Sequence, residues 1–172
     1  MGGAIHGHPA ALSRHRLRTS AGIFVAAFTR IGLTCLYFPE AMRITIHTRQ
    51  PENAAHQSWL VTTAKAIESI LKGNTPAALP PLDLASGTLF QVQVWKQLQR
   101  IPRGQTRSYA QIAAATGRPR AARAVGAACG ANPIPLLIPC HRVIASDGTL
   151  GGFSGGLEWK RRLLAIERTK NC

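Results

Sequence analysis

The segment Pro139-Cys140-His141-Arg142-Val143 holds the residues of this chain that are best suited to chemistry. Cysteine acts as a nucleophile only as the thiolate, and neighbouring cationic or basic groups lower its pKa from roughly 8.5. An imidazole and a guanidinium follow Cys140 directly, so the segment favours a reactive thiol. An isolated Cys-His pair would more often contain a buried structural cysteine, and the sequence around this one has to decide between the two interpretations.

Two capping boxes predict the helices that precede this segment. Thr88 with Gln91, and Ser108 with Gln111, match the pattern in which a hydroxyl and an amide side chain satisfy free backbone donors at a helix start. The two helices that they predict span residues 89–100 and 108–116.

A third helix is expected shortly after the second. Gly117 is placed to end the second helix, and Pro119 suits the first turn of a third that runs to about Gly130. Two helices with so short a connection form a helix-turn-helix, although an ordinary helical hairpin explains this spacing equally well. The third helix is rich in Ala and Gly, which permits close approach to a DNA groove but is also typical of tight helix packing.

The N-terminal half reads as a small sheet followed by a helix. Alternating and continuous apolar runs predict strands, and a helical period follows them. The predicted strands and helix span residues 21–28, 31–38, 42–47 and 55–72. Residues 1–19 are expected to form a disordered basic tail, and the Pro- and Gly-containing stretch 76–87 to link two domains, 20–75 and 88–172.

In order and spacing, the residues from Phe90 to Glu167 resemble the methylated-DNA–protein-cysteine methyltransferases, also called O6-alkylguanine-DNA alkyltransferases. The resemblance covers about half of the chain, and the N-terminal half matches only in general character. The motifs that carry it are Phe90-Gln91-Val92-Gln93-Val94-Trp95, Ile101-Pro102-Arg103-Gly104, Ser108-Tyr109-Ala110-Gln111-Ile112, Arg123-Ala124-Val125-Gly126, Asn132-Pro133, the Cys140 segment, Gly151-Gly152-Phe153-Ser154-Gly155 and Lys160 with Leu163, Leu164 and Glu167.

The resemblance implies a role for each residue of a catalytic group. Cys140 would accept the alkyl group, His141 would act as a base through a water, and Glu167 would orient His141 in the manner of a catalytic triad. Tyr109 would donate to N3 of guanine as the oxyanion forms, and Asn132 would brace the turn that presents Cys140. Without the resemblance, Glu167 would be a solvated helix-end carboxylate and Asn132 a helix-ending residue before proline.

The resemblance also implies how DNA is held. Arg123 would enter the base stack and fill the space of an extruded nucleotide, although an arbitrary arginine on such a helix more often contacts phosphate. Its small neighbours Ala122, Ala124, Gly126 and Ala127 would line the groove. Phe153 and Ser154 would form the wall of the alkylguanine pocket together with Tyr109. The alternative for this glycine-rich stretch is a flexible turn or a phosphate cradle.

The implied fold is α/β (α+β). A ribonuclease H-like N-terminal domain, formed by a small sheet and a helix, would precede a mainly helical, winged-helix-like domain that contains the helix-turn-helix. The partner would be double-stranded DNA with alkylated bases, and the protein would act as a monomer that is consumed after one transfer. No cofactor or metal is expected, since nothing in the sequence resembles a site for a regenerating cofactor.

Composition agrees with a nucleic-acid partner without identifying it. The formal net charge is +14, and the residues from Phe90 onward include 13 Lys and Arg against 3 Asp and Glu. The four cysteines form no C-x-x-C pair, which favours reduced thiols in a cytoplasmic protein. No apolar stretch approaches the roughly 20 residues that span a bilayer, so no membrane association is expected.

Two alternatives compete with the alkyltransferase interpretation. A non-catalytic sensor of alkylated DNA would resemble this sequence but carry a non-nucleophilic residue, typically tryptophan, in place of Cys140. A helix-turn-helix regulator would explain the charge and the helices, yet it would leave Cys140, His141, Tyr109 and Glu167 without a purpose. A cysteine hydrolase is a weaker option, because no oxyanion-hole motif is evident. The sequence does not rank methyl against larger alkyl groups, or O6-alkylguanine against O4-alkylthymine.

Overall fold

The N-terminal half contains a three-stranded antiparallel sheet. The computed structural model describes residues 13–39 and 54–168. The strands are β1 (Ser13–Thr19), β2 (Gly22–Phe28) and β3 (Leu33–Tyr37), paired in the order β1-β2-β3. The strands predicted over 21–28 and 31–38 are therefore confirmed as β2 and β3, which pair antiparallel, and the strand predicted over 42–47 lies outside the described residues.

The prediction of a disordered tail over residues 1–19 is wrong for residues 13–19. They form β1, which pairs with β2 in a continuous register from Ser13 opposite Phe28 to Thr19 opposite Gly22. The arginines that suggested a basic tail alternate with inward residues such as Leu17, which is buried. Alternation of this kind is typical of a half-buried strand. Residues 1–12 lie outside the described residues.

Helix α1 (Ala54–Leu71) covers one face of this sheet, close to the bounds predicted from its helical period. Its buried residues include Ile67 and Ile70, and the ring of Trp59 stacks on Phe28 of β2 with centroids 6.5 Å apart. The packing of one sheet face on this helix buries apolar residues that join one hydrophobic core with the C-terminal half.

The segment after α1 is attached to the sheet. The Leu33 amide donates to the Pro81 carbonyl (2.8 Å), and the Asp83 amide donates to the Leu33 carbonyl (2.8 Å). The buried Asp83 carboxylate accepts a hydrogen bond of 2.6 Å from the Thr29 hydroxyl. The stretch predicted as a linker thus continues the sheet along β3 and fixes the sheet to the segment that enters the C-terminal half.

The C-terminal half is mainly helical. Its helices are α2 (Leu89–Gln99), α3 (Tyr109–Ala115), α4 (Ala122–Gly130) and α5 (Leu157–Arg168), and β4 (Arg107–Ser108) pairs in parallel with β5 (Val143–Ile144). Both predicted capping boxes are present, at Thr88 and at Ser108. The mixed α/β fold predicted from sequence is confirmed at this level.

The turn between α3 and α4 explains where each helix ends and begins. Gly117 has φ +75°, and the amides of Gly117 and Arg118 donate to the carbonyls of Ala114 and Ala113, which is a Schellman ending. The prediction that Pro119 begins the third helix is wrong, because α4 begins at Ala122 after a further turn at residues 118–121. Within the described residues, no helix has the length and apolar content to cross a membrane.

We expect Gly32→Ala to destabilise the protein, because a Cβ at this position would lie 2.2 Å from the Pro81 carbonyl oxygen. The clash is with backbone, so relief requires that β3 and the 76–87 segment move apart, at a cost of about 1–3 kcal/mol in the free energy of unfolding. Urea unfolding followed by circular dichroism measures this. The matched control is Gly130→Ala at the end of α4, where a Cβ meets no atom within 4 Å. Equal stability of the two variants would contradict the close packing of Gly32 against the 76–87 segment.

Candidate active site

Cys140 is presented by a compact turn that follows α4. The apolar residues Ile134, Leu136, Leu137 and Ile138 anchor this turn in the core, and all four are buried. Leu136 has φ +79°, a left-handed conformation that is rare for a leucine. Cys140 begins a short 3₁₀ turn that runs to Arg142 and leads into β5.

Asn132 connects both ends of this turn. Its Oδ1 accepts a hydrogen bond from the Ile134 amide (3.1 Å), and its Nδ2 donates to the Ile138 carbonyl (2.9 Å). The same Nδ2 lies 3.1 Å from Cys140 Sγ and donates to it. The side chain therefore closes the turn and contacts the thiol at once, as a residue that braces this turn would have to do.

The environment of Cys140 differs from the one expected. The side chain is 3% exposed, and this burial raises its pKa to about 11, while the Asn132 hydrogen bond and the Lys160 charge oppose the rise. From the sequence, the adjacent guanidinium of Arg142 is expected to lower the pKa of the thiol. Arg142 instead binds a carboxylate, and the burial of Cys140 keeps its resting side chain a neutral thiol at neutral pH.

His141 is completely buried and binds Glu167. Its Nε2 lies 2.9 Å from Glu167 Oε1. Burial lowers the pKa of the imidazole more than the carboxylate raises it, so the ring is neutral at pH 7. An ionised carboxylate can only accept hydrogen bonds, which places the single ring proton on Nε2. Nδ1, which has no hydrogen-bond partner among the described residues, is then a lone pair able to accept a proton.

Glu167 binds two further groups besides His141. The Arg142 guanidinium donates to it through Nε (3.0 and 3.1 Å) and Nη2 (2.8 Å), and the Gly104 amide donates to Oε2 (3.1 Å). Burial alone would raise the pKa of this carboxyl, but the bonds from His141 and Arg142 outweigh it and lower the pKa to about 2. The roles of Arg142 and Gly104 were not predicted, although both lie within motifs quoted from the sequence.

Tyr109 lies between α4 and the loop that follows β5. A Cβ at Gly126 would be 3.9 Å from its ring, which is ordinary van der Waals contact. A Cβ at Gly151, where φ is +62°, would be 2.5 Å from its hydroxyl, so the loop needs glycine at that position. Burial raises the pKa of the Tyr109 phenol, and the nearby thiols of Cys129 and Cys140 raise it further. Tyr109 therefore keeps its proton and can donate it.

The loop between β5 and α5 is held by Lys160, a residue to which sequence reasoning assigned no role. The side chain is completely buried, and its Nζ donates to the carbonyls of Val143 (2.6 Å), Gly152 (3.4 Å) and Leu150. Burial lowers the pKa of this amine. The available signal was the spacing of Lys160, Leu163 and Glu167, which places all three on one stripe of α5.

Phe153 and Ser154 lie in this loop, as predicted, and only Phe153 packs toward the catalytic group. Its ring meets His141 edge-on, with centroids 6.4 Å apart, while Ser154 is exposed. On α4, Arg123, Ala124 and Ala127 are exposed, and Ala122 and Gly126 are half-buried. These residues share an accessible face, since Val125, Ala128 and Cys129 form the buried side of the helix.

The C-terminal half of the chain matches a known protein family. Residues 89–169 match the family described as 6-O-methylguanine DNA methyltransferase, DNA binding domain. A methylated-DNA–protein-cysteine methyltransferase of Mycolicibacterium paratuberculosis is 58% identical over 87 residues, which are 51% of this chain and 52% of that protein. The chain thus spans about half the length of the curated relatives it matches.

Solved structures match over nearly the whole chain. Mycobacterium tuberculosis OGT in complex with DNA is similar with a TM-score of 0.76 at 38% identity, covering 90% of this chain and 91% of that one. A Mycobacterium tuberculosis O6-methylguanine methyltransferase has a TM-score of 0.74 at 36% identity, covering 93% and 94%. The similarity therefore includes the N-terminal sheet, for which the sequence motifs gave little information.

We expect the stability of the protein to depend on pH through Glu167. Its pKa is about 2 in the folded state against an ordinary value of 4.5, so its contribution is complete above pH 4.5 and is lost as pH falls toward 2. Glu167→Gln should lower stability at neutral pH, because it leaves Arg142 without a charged partner, and should flatten the loss between pH 5 and pH 3. Urea midpoints across this range measure both effects.

The control for this experiment is Glu158→Gln on the same helix. The Glu158 side chain is 90% exposed and lies 3.7 Å from Arg161, so its removal should leave the pH profile unchanged. An identical profile for wild type and Glu167→Gln would show that the carboxylate does not have the assigned ionisation.

Proposed function

Because the chain belongs to the methylated-DNA–protein-cysteine methyltransferase family, we propose that it repairs DNA by transferring the alkyl group of O6-alkylguanine to its own Cys140. The observation that supports this most directly is that the buried Cys140 thiol is followed in the chain by a neutral imidazole, His141, which is hydrogen bonded to the ionised carboxylate of Glu167. O4-alkylthymine presents the same kind of alkyl–oxygen bond and is a second candidate substrate class. The protein acts on double-stranded DNA, as a monomer and without a cofactor.

The transfer is a displacement at the alkyl carbon. Sulfur of Cys140 forms a bond to that carbon as the bond from carbon to O6 breaks, and the electron pair of the broken bond stays with the guanine. His141 accepts the thiol proton through a water molecule. One proton is returned to the guanine anion, so the number of protons balances. The sum is one thioether and one restored guanine. A thioether is not readily reversed, so each molecule reacts once.

The raised pKa of the Cys140 thiol and the lowered pKa of the His141 imidazole suit a proton transfer that takes place only when the substrate is bound. A neutral thiol with a pKa near 11 is protected from reaction until a substrate is present, and the unpaired Nδ1 of a neutral His141 is able to accept its proton. Glu167 stabilises the imidazolium that forms. Tyr109, whose pKa is raised, donates to N3 of the guanine as negative charge develops there.

Access to O6 requires that the nucleotide leave the base stack. The exposed face of α4 combines one long cationic side chain, Arg123, with small neighbours, which supports insertion of Arg123 where the nucleotide was and close approach of Ala124 and Ala127 to the groove. Small apolar residues offer few hydrogen bonds to base edges, so binding tolerates many sequences. In this arrangement α3 and α4 act as a helix-turn-helix.

The proposed function also implies a fold type for each half of the chain. We assign the N-terminal sheet with α1 to a ribonuclease H-like unit and the C-terminal helices with β4 and β5 to a winged-helix-like unit, with residues 76–87 between them. Three cysteines among the described residues are free and buried, which supports action in a reducing, cytoplasmic environment.

Incubation with duplex DNA that contains one O6-methylguanine should add a single methyl group to the protein, located on the Cys140 peptide. Intact-mass and peptide analysis measure it, and the gain should stop at one per molecule. Cys140→Ser, which keeps the size of the side chain but not its nucleophile, should bind the same DNA without gaining mass. Tight binding by the wild type with no transfer would identify a lesion sensor instead. Neither transfer nor preference for the lesion would leave a general DNA-binding protein.

Arg123→Ala should slow transfer from duplex DNA by about tenfold or more, because nothing then fills the gap left by the extruded nucleotide. Transfer from free O6-benzylguanine, which needs no extrusion, should keep the wild-type rate. Single-turnover rates with both substrates give the comparison. The control for simple loss of charge is Arg161→Ala, which removes an exposed arginine that lies on α5 instead of α4. If Arg123→Ala and Arg161→Ala lose transfer rate on duplex DNA equally, Arg123 acts only by binding phosphate.

A further inference from the structure

The side chain of Phe38 reaches from the N-terminal sheet into the wall of the candidate active site. Phe38 follows β3 directly and is 4% exposed. Its ring meets Phe153 of the pocket loop with centroids 5.6 Å apart at 67°, and Trp159 of α5 with centroids 4.8 Å apart at 46°. A residue far from Cys140 in the chain is thus in direct contact with the loop that lines the pocket.

The loop backbone is pressed between the two phenylalanine rings. A Cβ added at Gly155 would lie 2.6 Å from Cδ2 and Cε2 of Phe38 and 3.0 Å from Cε1 of Phe153. Only glycine fits between these rings without displacement. The position of the loop therefore depends on the position of the Phe38 ring.

Contacts continue from Phe38 to the catalytic group. The Phe153 ring, which packs on Phe38, also meets His141 edge-on, with centroids 6.4 Å apart at 87°. On the same strand, the Leu36 amide donates to the Pro133 carbonyl (2.9 Å), beside the Asn132 brace. The end of β3 is therefore fixed to the turn that presents Cys140, while Phe38 packs against the loop that carries Phe153.

We propose that Phe38 is a positioning residue that limits the size of the alkyl group accepted at Cys140, by preventing Phe153 from moving away from His141. This inference rests on the proposed function, since it concerns the substrate of that site. Removal of the Phe38 ring opens space behind Phe153, so the wall can retract. The transfer rate of a bulky alkyl group then rises more than that of a methyl group, because a methyl group needs no additional room.

The test compares single-turnover rates on two duplexes that differ only in carrying O6-methylguanine or O6-benzylguanine. The proteins are wild type, Phe38→Leu and Phe38→Ala, with Phe28→Leu and Phe28→Ala as controls. Phe28 is equally buried in the same sheet, but it packs on His15, His56 and Trp59 and not on the pocket loop. If Phe38→Ala fails to fold, the smaller cavity of Phe38→Leu supplies the result.

The ratio of the benzyl rate to the methyl rate should rise about tenfold or more in the Phe38 variants, since room for one methylene group in a hydrophobic pocket changes the rate by about 10–200-fold. The same ratio should stay at its wild-type value in the Phe28 variants. Loss of folded protein lowers both rates by one factor and does not move the ratio. An unchanged or lower ratio in both Phe38 variants overturns this inference, whereas a wild type that transfers neither group overturns the proposed function first.

Discussion

The Glu167 carboxylate lies near the end of α5, withdrawn from water, and it stays ionised only because other segments bring donors to it. Those donors come from the turn after α2, through the Gly104 amide, and from the 3₁₀ turn, through His141 and Arg142. A buried carboxylate without such partners would be protonated or would destabilise the fold. Three segments distant in sequence are thereby required to meet, and the geometry of the candidate site follows from that requirement.

Burial also separates the proton affinities of the Cys140 thiol and the His141 imidazole, the two groups to which the proposed reaction gives a proton transfer. It raises the pKa of the Cys140 thiol and lowers that of the His141 imidazole, so that both are neutral before a substrate arrives. A thiol in this state resists unwanted reaction, and a neutral imidazole whose Nδ1 has no hydrogen-bond partner among the described residues can still act as a base. Glu167 contributes by fixing the ring proton of His141 on Nε2, which leaves Nδ1 unprotonated and able to accept a proton.

The N-terminal sheet is part of the site rather than a separate attachment. Strand β3 binds the 76–87 segment through Leu33 and the turn before Cys140 through Leu36. At its end, Phe38 packs against the loop that carries Phe153. The sheet therefore supports two sides of the pocket, and the apolar packing among these aromatic rings connects the stability of the N-terminal half with the shape of the site.

The sequence alone determined the local features, because they depend on residues close together in the chain. The capping boxes at Thr88 and Ser108, the glycine ending at Gly117 and most helix bounds were predictable for this reason, and so was the motif around Cys140. Short basic strands resemble tails when their partner is not considered, which is why β1 was missed. Tertiary structure decided the rest: the ionisation of Cys140, the pairing of Arg142 with Glu167 and the contact of Phe38 with Phe153 all depend on burial and on residues far apart in sequence.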